Sequence, residues 1–424
     1  MKLSRRQFLS LTVATGAACA LPAFGEFSRA FSAQTQIAPD ELAAIKSRCE
    51  RVVREYDAQG VHRTATEVDG ESAKWLAKLV EKTGAKPQLE PFKINRIDLL
   101  ENYLQIGDRR IEGIPMFDGG FTDKKGIRGR VGKIGSDAEI GLIEAPPNAA
   151  TDFNDAFIQA RRSSKHKAIV IITKGGADGI ALINAPYFLE PFAQPALQIG
   201  REHGEFLQAS AAQNREILFV ASVKRKLATA YNVTAEITGS EPSLAPIGVI
   251  TPRSGWWEIA SERGGGMCAW LETMRAVAKA KPKRTVYFAA SSGHELGHVG
   301  LENYFDRRAD LAKNAFVWLH YGANIGSKMG ASRSLRATSE EFEKLAVEAL
   351  TAEGVPPNRL MPRNVLPNGE AKNIYKRGGK FISLIGGNAL FHLPQDRYPE
   401  AVDFDVAARV SAAFSGLAVK LANS

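Results

Sequence analysis

From Asn232 onward, apolar runs with the length of strands alternate with segments whose apolar residues recur at helical spacing. The strand-like runs are NVTAEIT, PIGVITP, TVYFAASS, NAFVWLHY and KFISLIGG. The helical segments are GGGMCAWLETMRAVAKA, TSEEFEKLAVEALTAEG and Phe404–Leu421. A strand that is followed repeatedly by a helix is typical of a sheet covered by helices. The pattern therefore predicts an α/β sandwich with a largely parallel or mixed sheet.

The segment from Gly60 to Gly84 predicts a turn followed by an amphipathic helix. Ala73, Leu76 and Val80 fall on one helical face, and Asp69 is the predicted N-cap. A second capping signal is the pair Thr338 and Glu341, spaced as in a capping box before a later helix.

Residues 95–226 have a different texture, with short apolar runs such as RIEGIPMF, GRVGKIG and AIVIITKGG separated by turns. This block predicts an inserted strand-rich module with its own small core. The main domain is then built from residues 34–94 and 227–424. We expect the inserted block to supply no metal ligands.

The N-terminal residues 1–33 predict a twin-arginine export signal. Arg5 and Arg6 precede Phe8 and Leu9, and a mildly apolar run follows. The run is too short and too rich in Thr, Gly and Ala to span a membrane comfortably, so no stable membrane anchor is expected. We expect the twin-arginine translocase to export the chain, which would make the mature protein periplasmic or secreted.

Composition limits the kinds of partner and of metal site. The formal net charge is +9, but no basic tract is interleaved with aromatic residues, so nucleic acid is not an expected partner. Outside the signal only Cys49 and Cys268 occur, too few for a cysteine-rich metal site. Any metal would therefore be bound by histidines and carboxylates.

Three loops after predicted strands or beside helix starts carry such side chains. The first contains Glu262, the second is HELGH (residues 294–298), and the third contains His392 and Asp396. Functional residues gather at the carboxyl ends of strands in open α/β sheets. Taken singly, each of these residues could equally be a surface charge or a structural histidine.

HELGH matches the H-E-x-x-H pattern, in which both histidines bind zinc from one face of a helix. In that interpretation His298 is a direct ligand and Glu302 is a candidate third ligand. Gly297 lies inside the motif and weakens a regular helix. The literal zinc-helix interpretation and a turn that carries a different metal arrangement both stay open from the residues alone.

The order of these motifs, from NVTAEITGSEP through HELG..GLENY to the late H-x-P-x-D, resembles the zinc aminopeptidases of peptidase clan MH. Glutamate carboxypeptidase II and glutaminyl cyclase are relatives. The resemblance covers most of the chain beyond the signal. It implies a phosphorylase/hydrolase-like three-layer sandwich with a mixed sheet, in which residues 95–226 resemble a protease-associated domain.

The chain departs from the two-metal pattern of that family. Pro252 stands where the family has a ligand histidine, and Ala323 stands near the position of a late ligand aspartate. The resemblance leaves Glu262, Glu295 and His392 as ligands. These would hold one divalent metal, most simply zinc, with a position open for water or substrate.

The same comparison assigns roles to neighbouring residues. His294 falls at the position of the general base, although it could instead be an extra metal ligand, and His298 falls at an apolar position. Asp396 is a candidate partner that orients His392. The remaining candidates for the substrate pocket are Trp256, His320, Tyr321 and Asn324.

The resemblance implies an exported, single-metal hydrolase or transferase that acts on a small peptide, an amide or a related polar substrate. Because one metal is missing, ordinary two-metal aminopeptidase activity is not expected. The alternative is a catalytically inactive or non-hydrolytic relative, similar to a cyclase or lyase, that binds a peptide or a partner protein.

Overall fold

The computed structural model describes residues 36–150 and 155–424. The predicted export signal, residues 1–33, lies outside the described residues. Within the described ranges, no helix combines the length and the apolar character needed to cross a bilayer.

Helices and strands alternate along most of the described chain. The helices are α1 (Pro39–Asp57), α2 (Glu67–Glu81), α3 (Asp155–Ser163), α4 (Gly204–Ala212), α5 (Ala260–Ala280), α6 (Val299–Asp306), α7 (Leu311–Asn314), α8 (Glu340–Ala352), α9 (Ala371–Lys376) and α10 (Phe404–Ala422). The strands are β1 (Lys86–Ile106), β2 (Arg109–Glu112), β3 (Ile114–Pro115), β4 (Ile127–Lys133), β5 (Ile140–Ala145), β6 (Ala168–Thr173), β7 (Ala196–Gly200), β8 (Glu216–Ile237), β9 (Ile247–Pro252), β10 (Val286–Ser291), β11 (Val317–Tyr321), β12 (Ser332–Ala337), β13 (Arg359–Leu360) and β14 (Phe381–Gly387).

The centre of the sheet is parallel and its flanks are antiparallel. Strand β9 pairs in parallel with both β10 and β11, and β11 pairs in parallel with β14. Strand β8 runs antiparallel beside β10, and β12 runs antiparallel beside β14. Every residue of β9 is buried, as expected for a strand covered on both faces. The predicted α/β fold with a mixed sheet is confirmed.

Helices cover both faces of this sheet. On β11, Trp318 packs edge-on against Phe305 of α6. Tyr321, three residues later and therefore on the opposite face, packs against Phe414 of α10. Side chains that alternate between the two faces of β11 thus pack against helices on both sides. The fold therefore has three layers, helices, sheet and helices, with an apolar core on each face of the sheet.

The N-caps of two helices lie at other residues than predicted, three positions earlier in α2 and one position later in α8. The N-cap of α2 is Thr66, whose hydroxyl accepts from the amide of Asp69. Asp69 lies in the first turn of α2, where its side chain accepts from the amide of Ala65 at 2.8 Å. The N-cap of α8 is Ser339, not Thr338. In both helices a neighbouring hydroxyl takes the capping position because serine and threonine fit it as well.

Strands β1 and β8 pair with each other almost from end to end, from Lys86 opposite Glu236 to Gln105 opposite Leu218. Beyond this ladder, the sheet continues from β8 to its neighbour β4 and then to β5, β6, β7 and β3 in that order. The predicted limits of the inserted block, at 94/95 and 226/227, lie within these two continuous strands. Its strands also enclose a separate apolar cluster, which includes Leu104, Val131, Ile140, Val170, Leu197 and Phe219.

Helix α5 lies so close to the loop after β11 that a side chain cannot fit at Gly265. A methyl group there would sit 1.7 Å from the carbonyl oxygen of Ile325. We expect Gly265→Ala to lower the free energy of unfolding by about 1–3 kcal/mol, since backbone must shift to relieve the overlap. Urea unfolding of the purified protein measures this.

Gly70→Ala is the matched control, since Gly70 is also helical and a methyl group there meets nothing within 4 Å. This change should be neutral or stabilise by about 0.5–1 kcal/mol. Equal losses of stability in the two variants would contradict the close approach of α5 to the loop.

Candidate metal centre

A cavity of about 620 Å³ lies where β10, β11 and β14 reach their carboxyl ends. The loop containing Asn184, Pro186 and Tyr187 forms another side of it. Its polar lining is rich in asparagines and in groups that can bind metal or titrate. These residues are Asn148, Asn184, Asn324, Asn368, Asn373, Asn388, His294, His298, Glu302, Glu370, Lys372, Lys376 and His392.

HELGH forms a turn in this wall of the cavity. Residues His294–Leu296 make one 3₁₀ turn, and helix α6 starts only at Val299. Between them Gly297 (φ 80°) and His298 (φ 63°) are in the left-handed conformation. A regular helix that carries both histidines is therefore not formed. The turn nevertheless brings the rings of His294 and His298 to 4.9 Å between centroids.

Glu370, which lies just before α9, completes a group of three possible ligands with these two histidines. Ligand atoms of His294, His298 and Glu370 all lie within 4.8 Å of one another. Two imidazoles and one carboxylate are a donor set of catalytic zinc sites. Among residues 36–150 and 155–424, no other trio of His, Cys, Asp or Glu meets this distance.

Glu370 is wholly buried and is held by two imidazoles. Its Oε1 lies 2.6 Å from Nδ1 of His294, and its Oε2 lies 3.0 Å from Nε2 of His320. The other ring nitrogen of His320 lies 2.8 Å from the hydroxyl of Ser383. Burial alone would raise the pKa of Glu370, but the neighbouring histidines outweigh it and hold that pKa well below its usual range. The carboxylate form is therefore available as a ligand.

A chain of polar contacts fixes the ring of His298. Its Nδ1 lies 2.7 Å from Oδ1 of Asn373. The amide nitrogen of Asn373 donates to Glu302, which also accepts from Arg377 at 2.5 Å. Because the oxygen of Asn373 must then accept, Nδ1 of the neutral imidazole carries the proton. The Nε2 lone pair of His298 is left for a ligand, a common arrangement of metal-binding histidines.

Glu302, the candidate third ligand in the zinc-helix interpretation, is thus a partner of Arg377, and Glu370 is the third candidate donor of the group. His298, which the resemblance places at an apolar position, contacts the side chain of Asn373 and lines the cavity. Burial lowers the pKa of His294 to about 4 and also lowers the pKa of His298. Both imidazoles are therefore neutral near pH 7, the form that binds a metal.

The implied ligands Glu262, Glu295 and His392 do not come together as a trio. Glu262 and His392 are neighbours, with 3.4 Å between Oε1 and Nε2. Both oxygens of Glu295 are engaged elsewhere: Oε1 accepts from the amide and the hydroxyl of Thr64 at 2.8 and 2.5 Å, and Oε2 accepts from the hydroxyl of Ser254 at 2.7 Å. Glu295 therefore anchors the turn of HELGH to two neighbouring segments.

Asp396 caps α5. Its two oxygens accept from the backbone amides of Ser261 and Glu262, each at 2.9 Å. The ring of His392 is oriented by a different group, since its Nδ1 lies 2.5 Å from the carbonyl oxygen of Leu182. Burial raises the pKa of Asp396 to about 6.

The remaining predicted pocket residues occupy different places. Asn324 lines the cavity. Trp256 is buried behind it, where its ring nitrogen donates to Asn184 at 2.9 Å. Tyr321 lies on the far face of the sheet, with its hydroxyl 2.8 Å from that of Thr273, so it cannot contact a substrate in the cavity.

Glu370 was not predicted from the sequence. It lies in the segment LPNGEAKN, which follows no predicted strand and resembles an ordinary polar turn. The one available signal was the H-E-x-x-H pattern itself, which requires a third ligand further along the chain. Several downstream carboxylates satisfy that requirement equally well.

No family model and no curated protein sequence matches this chain. Solved structures match over most of its length. The zinc aminopeptidase BSAP from Bacillus subtilis is 16% identical, with 90% of this chain and 95% of that chain covered and a TM-score of 0.71. A peptidase M28 precursor from Shewanella amazonensis SB2B is 15% identical, with 91% and 96% covered and a TM-score of 0.71.

An aminopeptidase from Aneurinibacillus sp. strain AM-1 is 17% identical, with 89% of this chain and 93% of that chain covered and a TM-score of 0.66. At these identities the likeness shows a shared fold. It agrees with the fold that the resemblance of the motifs implies. The chemistry of the site has to be argued from the side chains of this chain.

We expect Asn373→Leu to remove the contact that keeps the ring proton of His298 on Nδ1, while all candidate ligands stay in place. Loss of the acceptor should let the ring proton move to Nε2 in part of the molecules, and metal affinity should fall by about 10–100-fold, as for other lost partners of ligand histidines. Nitrogen-15 NMR of the metal-free protein reports the tautomer, and titration against a chelator reports the affinity.

Asn368→Leu is the control, because Asn368 lines the same cavity but the hydrogen bond of Nδ1 of His298 is made with Asn373. It should change neither measurement. An unaltered tautomer in Asn373→Leu would show that the contact does not set the proton position.

Proposed function

We propose that this chain is a metal-dependent hydrolase of peptide or amide bonds in small polar substrates. One divalent metal, zinc by its donor set, would be held by His294, His298 and Glu370. The observation that carries this proposal is the convergence of these three donors in the wall of the cavity of about 620 Å³. The fold shared with zinc aminopeptidases and an M28 peptidase supports it.

The three residues match such an ion in charge once the proton of His294 that lies between Nδ1 and Oε1 of Glu370, 2.6 Å apart, moves to Nε2. Two neutral imidazoles and one carboxylate carry a single negative charge, which a divalent ion would compensate while keeping a position open for substrate. When bound, the ion supplies Lewis-acid chemistry toward a carbonyl group. In this arrangement His294 is a donor to the metal, the alternative role considered for it, and the role of general base is not assigned to it.

The other residues of the cavity would orient the substrate and the ligands. His320 holds Glu370 from the side away from His294, and Asn373 holds His298. Asparagine side chains offer a donor and an acceptor together, which matches the donor and acceptor of a peptide group. The asparagine-rich lining therefore supports a peptide or amide substrate.

A panel of substrates tests the proposed activity on metal-loaded protein. It comprises aminoacyl anilides, dipeptides and N-acyl amino acids, each assayed before chelation, after chelation and after return of zinc. Hydrolysis that is lost and restored with the metal supports the proposal. Tight binding of peptides with no turnover of any class would favour the alternative of a catalytically inactive binding protein.

Export through the twin-arginine translocase to the periplasm or the exterior is also a proposal, supported by the sequence around Arg5 and Arg6. A fusion of residues 1–40 to a reporter that folds before export would test it. Export that is blocked when both arginines are replaced by lysine supports the signal, and export that survives this change contradicts it.

Replacement of single histidines separates the two possible ligand sets. We expect His298→Leu to weaken zinc binding by at least about 100-fold, because it removes a direct donor and not a supporting group. His392→Ala should leave zinc affinity within a few fold. Competition with a chromogenic chelator measures both.

His166→Gln is the control for a buried histidine, since His166 lies in the inserted block and contacts the carbonyl oxygen of Ala138 at 2.6 Å. It should retain the metal. If His392→Ala released zinc and His298→Leu kept it, the ligands would be those implied by the family resemblance.

A further inference from the structure

Glu262 and Arg263, in the first turn of α5, form a wholly buried ion pair. Nη2 of Arg263 lies 2.7 Å from Oε1 of Glu262, and both side chains are fully enclosed. The guanidinium is fixed by a second contact, in which Nε donates to the carbonyl oxygen of Ser254 at 2.7 Å. A buried carboxylate is costly without a compensating charge, so this pair must stay together.

A ring nitrogen of His392 faces the same carboxylate and, like it, is a hydrogen-bond acceptor. Its Nδ1–H donates to the carbonyl oxygen of Leu182, which leaves a lone pair on Nε2. That atom lies 3.4 Å from Oε1 of Glu262. Apart from the ion pair with Arg263, neither oxygen of Glu262 has a hydrogen-bond partner among the described residues, and the same is true of Nε2 of His392.

Two acceptors that face each other repel unless a positive charge lies beside them. A tetrahedral zinc ion with bonds of roughly 2.0–2.1 Å places its ligand atoms roughly 3.3–3.4 Å apart. The spacing between Glu262 and His392 is therefore that of two zinc ligands. The positive charge that contacts this oxygen of Glu262 is the guanidinium of Arg263, at 2.7 Å.

Electrostatics agree with this assignment. Burial by itself raises the pKa of Glu262, but the adjacent guanidinium of Arg263 outweighs it and lowers that pKa. Arginine does not lose its proton in proteins, so its charge cannot be displaced by a change of pH. Glu262 therefore stays ionised, and the positive charge of Arg263 compensates its negative charge at all pH values at which the protein is folded.

We propose that the guanidinium of Arg263 is the resident cation of the Glu262–His392 pair. It takes the place of a metal ion and closes a latent divalent-metal site. Removing the guanidinium would open that site to zinc or cobalt. The inference does not depend on whether His294, His298 and Glu370 hold a metal, since it concerns a different set of donors.

The experiment counts metal in variants relative to the wild type. Each protein is saturated with zinc, separated from loosely held ion, and measured by elemental analysis, with circular dichroism to confirm the native fold. Arg263→Ala should hold one equivalent more than the wild type. Arg263→Lys keeps a cation at this place and should gain none.

The double variant R263A/H392A locates the gain. If the extra equivalent disappears in it, the new ion is bound at the Glu262–His392 pair. If the gain persists there, or if Arg263→Ala gains no metal, the proposal is wrong. Cobalt absorption spectra give the same comparison through the added ligand-field bands.

Variants that keep Arg263 test the proposal even if Arg263→Ala does not fold. His392→Ala and Glu262→Gln should each leave the metal content of the otherwise native chain unchanged. A lost equivalent in either would overturn the proposal, since it would show that the pair already binds metal. A wild type without any metal would contradict the proposed function and leave this comparison intact.

Discussion

The architecture of the cavity depends on how buried carboxylates at one end of the sheet are neutralised. Asp69, Glu262, Glu295 and Glu370 are all completely buried. Each would be expensive to ionise without compensation, and each has a different partner. Asp69 and Glu262 pair with arginines, Glu295 accepts from hydroxyls and an amide, and Glu370 lies between two histidines.

The type of partner decides which carboxylate can serve a metal. An arginine partner cannot give up its proton, so Glu262 keeps an internal cation. The hydroxyls of Thr64 and Ser254 fill both oxygens of Glu295. A neutral imidazole, in contrast, can move its proton to the other ring nitrogen and turn a lone pair toward a metal ion. Glu370 is therefore the carboxylate whose surroundings are suited to a metal, and the candidate centre lies beside it.

The sequence predicted the backbone better than the directions of its side chains. The alternation of apolar runs located β9, α5, β10 and β14, because buried strands and helices differ in period. It did not show that His294 and Glu295, adjacent in a 3₁₀ turn, face different neighbours. That outcome depends on Thr64 and Ser254, which are distant in sequence. Glu370 was missed for the same reason, since its role arises from contacts that no local pattern records.

Residues 95–226 contribute backbone to the site, and the three candidate ligands all lie outside them. The carbonyl oxygen of Leu182 orients His392, and the amide of Ala185 donates to the carbonyl oxygen of Glu295 at 2.8 Å. A methyl group at Gly297 would lie 2.6 Å from the carbonyl oxygen of Pro186. The left-handed turn that brings the two histidines of HELGH together is thus shaped by glycine and by the segment packed against it. A motif that elsewhere relies on one regular helix depends here on a contact between two distant parts of the chain.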